Sequence, residues 1–359
     1  MMQIKRRGIS ELKRNGQQGV SLVELMVSLV LGLVLVFGVT EIYVNSKSTY
    51  NVNEEMSRLQ ENARFIFDLM VPGETGIRMA GFTGCGAANF SSTPNDWRQN
   101  QTVLLSSLNS INGHESTGAA TWSPALPAAL AGLVVSNTDV ISVQGANNCD
   151  GYLVGNMAIP NANVQINPTN TCGLAAGDPV MISDCLDTDI FTATNVSSGT
   201  AKITMAHSSS GNTQNFLSKA YQQDAEIRKP SSVTYYIRNG ASGIPALWRL
   251  DNFSGGSVEL VEGVENMQIT YGVDTDATAD GIVDRYVTAN QIPVGGNDWD
   301  RVITARLTLL LRSISGNALQ NPATYTFNFE GATLNYGPDR ILRQQYTTTV
   351  QLRNRNLLP

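Results

Sequence analysis

An apolar run of membrane length that carries a single acid near its start constrains this chain more than any other feature. The run opens at Gly19-Val20-Ser21-Leu22-Val23-Glu24-Leu25-Met26, directly after a basic leader with Lys5, Arg6, Arg7, Lys13 and Arg14. From Val20 to Val44 only Glu24 and Glu41 are charged, and both lie near the ends. An ionised side chain inside a bilayer costs roughly 2.5–3.5 kcal/mol at the centre. An acid placed there is expected to have a task. A basic segment followed by an apolar one is also what a secretory signal or an uncleaved anchor looks like. An ordinary signal is cut after its apolar region at a small-x-small site. Leu25–Val39 is instead followed by Thr40-Glu41-Ile42-Tyr43-Val44 and a helical pattern.

The helix should continue beyond the membrane half. Val52, Met56, Leu59, Ala63, Ile66 and Met70 recur at alternating spacings of four and three, which makes one apolar stripe. Glu54, Glu55, Arg58, Glu61, Arg64 and Asp68 occupy the other faces, and Pro72-Gly73 ends the helix. The stripe reads as the face on which a globular domain sits; a partner helix in a filament is the other reading. Gly32 and Gly38 are tolerated in membrane helices and favour close packing or bending.

Strand signals dominate the remainder. Thr83–Thr138 is poor in charge and rich in Ser, Asn, Gly and Ala, and reads as surface loops with short strands. Val140–Val143, Val180–Ser183 and Ala201–Met205 are short β-prone runs. Val233–Arg238 and Ala246–Leu250 read as a hairpin, with Asn239-Gly240 supplying the positive φ of its turn. Val258–Val261, Met267–Tyr271 and Tyr346–Arg353 follow as strands. In Val302–Arg312, Ile303, Ala305, Leu307, Leu309 and Leu311 fall on one face. The expected fold is α+β: a long N-terminal helix packed by its C-terminal half on an antiparallel sheet, with a large inserted loop and strand region.

Composition narrows the function. The chain has 359 residues, with 24 Lys plus Arg and 30 Asp plus Glu. Removing a leader of residues 1–19, with five basic residues and one acid, leaves 19 basic and 29 acidic residues and a net charge of −10. A nucleic-acid binder would show a basic patch or stripe, so nucleic acid is not an indicated partner. Cys85, Cys149, Cys172 and Cys185 all follow the apolar run. The positive leader should stay cytoplasmic, which places them in the periplasm, where disulfides form. Four cysteines allow three pairings; Cys85–Cys185 with Cys149–Cys172 is the expected set. No CxxC spacing exists, and His114 and His207 are not near the cysteines in sequence, which argues against zinc.

One further site is suggested by spacing. Asp274, Asp276, Asp280 and Asp284 surround Gly281. Calcium takes several oxygen ligands, and alternate acids around a Gly turn supply them. With Asp276 as position one of such a loop, Asp280 is fifth, Gly281 sixth and Asp284 ninth. The twelfth position is Val287, so the bidentate acid is missing. The pattern is half a calcium loop; a solvated acidic turn between strands is the alternative. No catalytic grouping is visible: the two histidines lie far apart, and Gly145, Gly151 and Gly155 do not form a phosphate loop.

The leader motif resembles the class III leader of type IV pilins and type II secretion pseudopilins. The resemblance implies that a prepilin peptidase cuts between Gly19 and Val20 and methylates the new amine of Val20, with Glu24 as the fifth mature residue. Val20 departs from the family's usual Phe. Ser57–Phe65, Ile77–Phe82, Gly177–Cys185, Glu262–Gly272 and Thr347–Arg355 are similar to segments of the PilW family of type IV pilus minor pilins. Val71–Gly76 interrupts what usually runs on from the helix in that family. The resemblance implies residues 1–19 as cleaved leader, 20–44 as the transmembrane and filament-core half of a pilin helix, 45–71 as its amphipathic half and 72–359 as a periplasmic β-rich domain. It implies a non-enzymatic subunit with no required cofactor and calcium as an option. Implied partners are other minor pilins, the major pilin, the prepilin peptidase and the inner-membrane assembly platform. The chain would sit in the inner membrane before assembly and in the pilus afterwards, with Glu24 docking each subunit. A J-type minor pseudopilin and a pilus-tip adhesin are the alternatives.

Overall fold

The computed structural model describes residues 19–73, 76–82, 95–99, 103, 105, 110–184, 186–276, 280–292, 297–329 and 332–353. The chain divides into two compact units, Met1–Asn51 and Val52–Pro359. A helix of 49 residues, Leu22–Met70, begins in the first. Its start is set two residues later than the apolar run suggests, because Ser21 caps it. The Glu24 N–H donates to Ser21 Oγ at 3.2 Å and the Ser21 N–H donates to Glu24 Oε2 at 3.3 Å, a reciprocal capping box. The hydroxyls within the run are satisfied by the helix itself: Ser28 donates to the Glu24 carbonyl and Thr40 to the Val36 carbonyl, both at 2.7 Å. Among the described residues this is the one helix long and apolar enough to cross a membrane.

In the second unit the expected stripe is buried: Leu59, Ala63, Ile66 and Met70 are at most 2% exposed, with Val52 and Met56 packed at the edge of the same core. The helix stops at Met70, where Pro72 follows and Gly73 takes φ +88°. A short 3-10 turn, Ile77–Met79, then brings Ile77 into the core. Its approach needs glycine at 76, since a Cβ there would lie 2.2 Å from the Pro72 carbonyl oxygen.

A four-stranded antiparallel sheet packs against this helix face, in the order Arg285–Val287, Val264–Val273, Val302–Arg312, Arg343–Gln351. Met267 pairs with Leu309, Ile269 with Leu307 and Tyr271 with Ala305, so their side chains share the inner face with the helix stripe. The opposite face is polar, with Gln268, Thr270, Arg306 and Thr308. A nine-stranded sheet supplies the rest of the core. Its longest strand, Glu226–Asn239, pairs antiparallel with Val140–Tyr152 on one side and Pro245–Asp251 on the other. The pairing of Asn95–Asp96 with Asp189–Ile190 is its parallel exception.

Three strand expectations need adjustment. Ile111–Gly118, inside the stretch read as surface loops with short strands, is an eight-residue strand with Ile111 fully buried, longer and more deeply placed than that reading. The Val140 strand extends thirteen residues because Glu226–Asn239 offers a partner along its length. The Glu226–Asn239 and Pro245–Asp251 hairpin closes through a longer loop whose positive φ sits at Gly243 (+81°) and not at Asn239-Gly240.

The region between Val140–Tyr152 and Glu226–Asn239 has its own core, with Leu153, Val164, Val180, Phe191, Met205 and Tyr221. Cys149 and Cys172 are joined by a disulfide within it, closing a separation of 23 residues. Cys85 and Cys185 lie outside the described residues. The Asp189 carboxylate is fully buried there and accepts four hydrogen bonds, from Trp97 Nε1, the Ser218 N–H and Oγ, and Tyr221 OH, at 2.7–3.0 Å.

Asp139 joins the two large sheets. Its N–H donates to the Met267 carbonyl at 2.9 Å, while its carboxylate accepts the Ile269 N–H at 2.9 Å and the Ser116 N–H at 3.0 Å. Glu115 lies against it, and each is 3% exposed. Burial, and then the neighbouring Asp139 charge, push Glu115 up to about 8. Burial likewise pushes Asp139 up, against the N–H groups of Ser116 and Ile269, which lower it. Two adjacent carboxyls in an apolar site favour holding a proton between them.

This pair sets a pH dependence. The folded pair binds its proton more tightly than the unfolded chain, whose carboxyls ionise near 4. Stability therefore falls as pH rises from about 4 through about 8. In Glu115→Gln that fall should shrink by on the order of 2–4 kcal/mol. Denaturant unfolding of the full chain in micelles at pH 5 and pH 9 measures it.

Candidate functional site

Two regions hold the residues singled out from the sequence. The first is the start of the helix. Gly19 and Val20 precede the Ser21 cap, Val20 is 69% exposed, and a Cβ added at Gly19 meets nothing within 4 Å. Nothing in the chain's own packing requires glycine there. Residues 1–18 lie outside the described residues. Glu24 is exposed and caps the helix through Ser21 as described. The apolar side chains after it are exposed as well, with Leu25 at 57% and Phe37 at 70%. Such a surface is stable only when lipid or another apolar face covers it.

The second region is the acidic turn after the Val264–Val273 strand. Asp274 is its hub. The residue is 1% exposed; its Oδ2 accepts the N–H groups of Asp280 (2.9 Å) and Gly281 (3.0 Å), and its Oδ1 accepts that of Asp276 (3.2 Å). Gly281 takes φ +77°, which folds the loop back onto Asp274. Asp284 serves differently: its Oδ2 accepts the Thr275 N–H at 2.6 Å and hydroxyl at 2.9 Å, which hold its carboxyl below the usual range. Carboxylate oxygens of Asp274, Asp276 and Asp280 lie within 4.8 Å of one another. Asp276 is fully exposed, and the charges of Asp284 above all, with Asp280 and Asp274, raise its carboxyl. Arg301 answers part of this charge by donating to the Asp276 carbonyl at 2.8 Å. Residues 277–279 lie outside the described residues.

The structure thus brings the Asp274, Asp276 and Asp280 oxygens together, with Asp284 held by Thr275 in the same turn. The spacing argument starts the loop at Asp276; the geometry puts Asp274 at the centre. The Asp274 oxygens are already engaged with backbone N–H groups, which organises the turn. Three convergent carboxylates suit a hard cation, though calcium prefers six to eight oxygens. The chemistry this cluster offers is the binding of a cation.

Two sites were not readable from local pattern. Glu115 and Asp139 are separated by a turn and a loop, and only the sheet pairing brings them together. The second is Arg343, whose side chain is 3% exposed. It donates to Glu265 at 2.5 and 3.1 Å and to Asp339 at 2.8 and 2.9 Å, and its guanidinium lies over the rings of Tyr325 and Tyr336. This network pins the base of a separate hairpin, Ala323–Phe329 with Ala332–Asp339, beside the four-stranded sheet.

Comparison with known families agrees with both ends of the chain. Residues 14–40 match the family model of the prokaryotic N-terminal methylation motif. With one long apolar N-terminal helix followed by antiparallel sheets, this defines a pilin-like protein of the α+β class. Residues 234–354 match the family model of the type IV pilus-assembly protein W. The two matched spans cover less than half of the chain, and both are similar to parts of a PilW-type minor pilin. No curated relative and no solved structure matches the chain. The second matched span covers the four-stranded sheet, the Arg343 network and the hairpin, whereas the disulfide-bonded region with its own core lies outside both spans.

Proposed function

We propose that this chain is a minor pilin, a structural subunit that helps prime type IV pilus assembly and sits near the tip, supporting adhesion, twitching motility or DNA uptake. The observation that carries this reading is an exposed membrane-length helix headed by a methylation motif. The leader, residues 1–19, is removed by a prepilin peptidase between Gly19 and Val20. The chain waits in the inner membrane with its β-rich part in the periplasm, and the assembly platform then extracts it. Glu24 docks the subunit. A carboxylate in an apolar environment needs a cation, and the methylated N-terminal amine of a neighbouring pilin, minor or major, is of the right charge. Its present partner, the Ser21 N–H, is a weak one that an amine can displace. The reading is structural and not enzymatic. A J-type pseudopilin of type II secretion shares this mechanism, and neighbouring genes distinguish the two machines.

The test is intact mass and N-terminal sequencing of the protein from cells with and without the prepilin peptidase. A chain beginning at N-methylated Val20, seen only when the peptidase is present, supports the reading. A full-length chain in both strains overturns it.

The acidic turn takes calcium in this proposal, as an aid to stability and not as a required cofactor. The support is the convergence of the Asp274, Asp276 and Asp280 oxygens and the like-charge strain on Asp276. Millimolar calcium should raise the melting temperature of the full chain by about 2–4 °C, as expected for a ligand present above its Kd. Magnesium should do less, and Asp276→Asn should abolish the rise. An unchanged melting curve in wild type would leave a solvated turn.

A further inference from the structure

The four-stranded sheet and the hairpin beside it are mismatched in polarity. Along the hairpin, Tyr325, Phe327, Phe329, Leu334 and Tyr336 are half-buried on one face, while the alternating Thr and Asn residues are exposed on the other. The aromatic face turns toward the sheet: Arg343 of the sheet lies under Tyr325 and Tyr336, and Asn266 Nδ2 donates to Tyr336 OH at 3.5 Å. The sheet face it meets is polar. Fold stability alone would favour an apolar surface under an aromatic one.

Between them lies a cavity of about 220 Å³, lined by Gln268, Thr270, Arg306, Gln345 and Thr347 of the sheet and by Phe329 of the hairpin. This is below the ~300–1,000 Å³ of drug-sized pockets and suits one small ring. Among the described residues its lining holds no acid. Gln268 spends its Nε2 on the Asn137 carbonyl and Asn266 Oδ1, both at 2.9 Å, which leaves its Oε1 as an acceptor. Thr270 is 6% exposed, and its Oγ1 has no hydrogen-bond partner among the described residues. Buried hydroxyls are normally paired, so this one is an unmet hydrogen bond in the wall of the cavity. Arg306 lies over the Tyr286 ring at 3.8 Å, which fixes its guanidinium, and it forms no ion pair among the described residues. The cavity therefore offers amides and hydroxyls from the sheet, Asn328 and the aromatic Phe329 from the hairpin, and one cation without an ion pair among the described residues.

We propose that this cavity binds a saccharide unit carrying a carboxylate. A pyranose presents hydroxyls around its rim and C–H groups on its face, which match the sheet wall and Phe329 respectively. A carboxylate on the ring matches the forked donors of Arg306. The proposal goes beyond the pilus reading and does not depend on it.

Saturation-transfer NMR on the full chain tests it, in micelles of a detergent without a sugar head group, with D-glucuronic acid, D-glucose and acetate as probes. Glucuronic acid should receive saturation, glucose should bind at least about fivefold more weakly, and acetate should show none, as expected when one charged contact adds to several neutral ones. Phe329→Ala should weaken glucuronic acid about tenfold or more. Arg306→Gln should erase the preference for the acid while keeping the neutral sugar. Thr270→Val, which conserves shape, provides a second variant should Phe329→Ala fail to fold; it should weaken both sugars. No transfer to either sugar, acetate binding as well as glucuronic acid, or folded variants that bind like wild type would each overturn the proposal.

Discussion

The exposed apolar surface of the N-terminal helix from Leu22 to Val44 is the constraint on which the rest depends. In water this surface would drive association, and in a bilayer its backbone and hydroxyls must be satisfied internally. The chain meets the second condition locally: the capping box closes the first turn, and Ser28 and Thr40 return their hydroxyls to the helix. The first condition must be met from outside. Lipid can do so while the chain is anchored, and neighbouring helices can do so in a filament. A single helix that serves in both settings needs polar groups only at its head, which is where Glu24 stands.

The second unit rests on a different physical device. The amphipathic end of the helix and two sheets share one core, and the sheets are tied by Asp139, which contacts the backbone of both. A buried carboxyl pair is an expensive tie, acceptable when it keeps a proton. The outer face of the four-stranded sheet is then free to be polar, because the inner face already supplies the burial. That freedom creates the cavity under the aromatic hairpin.

Much of this is legible in the sequence, and the boundary is physical. The stripe from Val52 to Met70 and the alternation in Val302–Arg312 are periodic signals, and periodicity reports the buried face directly. The hairpin at Glu226–Asn239 is legible but its turn is not, since a five-residue loop can put positive φ at either glycine and it falls at Gly243. Within Ile111–Gly118, Asn112, Gly113 and Ser116 are loop-prone locally, and pairing with Val140–Tyr152 overrides that preference. In the acidic turn the spacing marks the cluster of acids but not its centre. Spacing templates count from the first regular acid, whereas burial at the strand end selects Asp274. The capping role of Ser21 is carried by the Ser-x-x-Glu spacing. Long-range pairs such as Glu115 with Asp139, or Arg343 with Glu265, have no local signal.

The central claim is that the apolar helix surface is covered by other pilin-type helices once the subunit leaves the membrane. In-cell photocrosslinking from a reactive side chain at Phe37 tests this most directly. The account predicts crosslinks to other pilin-class subunits, enriched in the sheared pilus fraction and lost in Glu24→Ala. Adducts with lipid alone, unchanged by Glu24→Ala and confined to the membrane fraction, would contradict it.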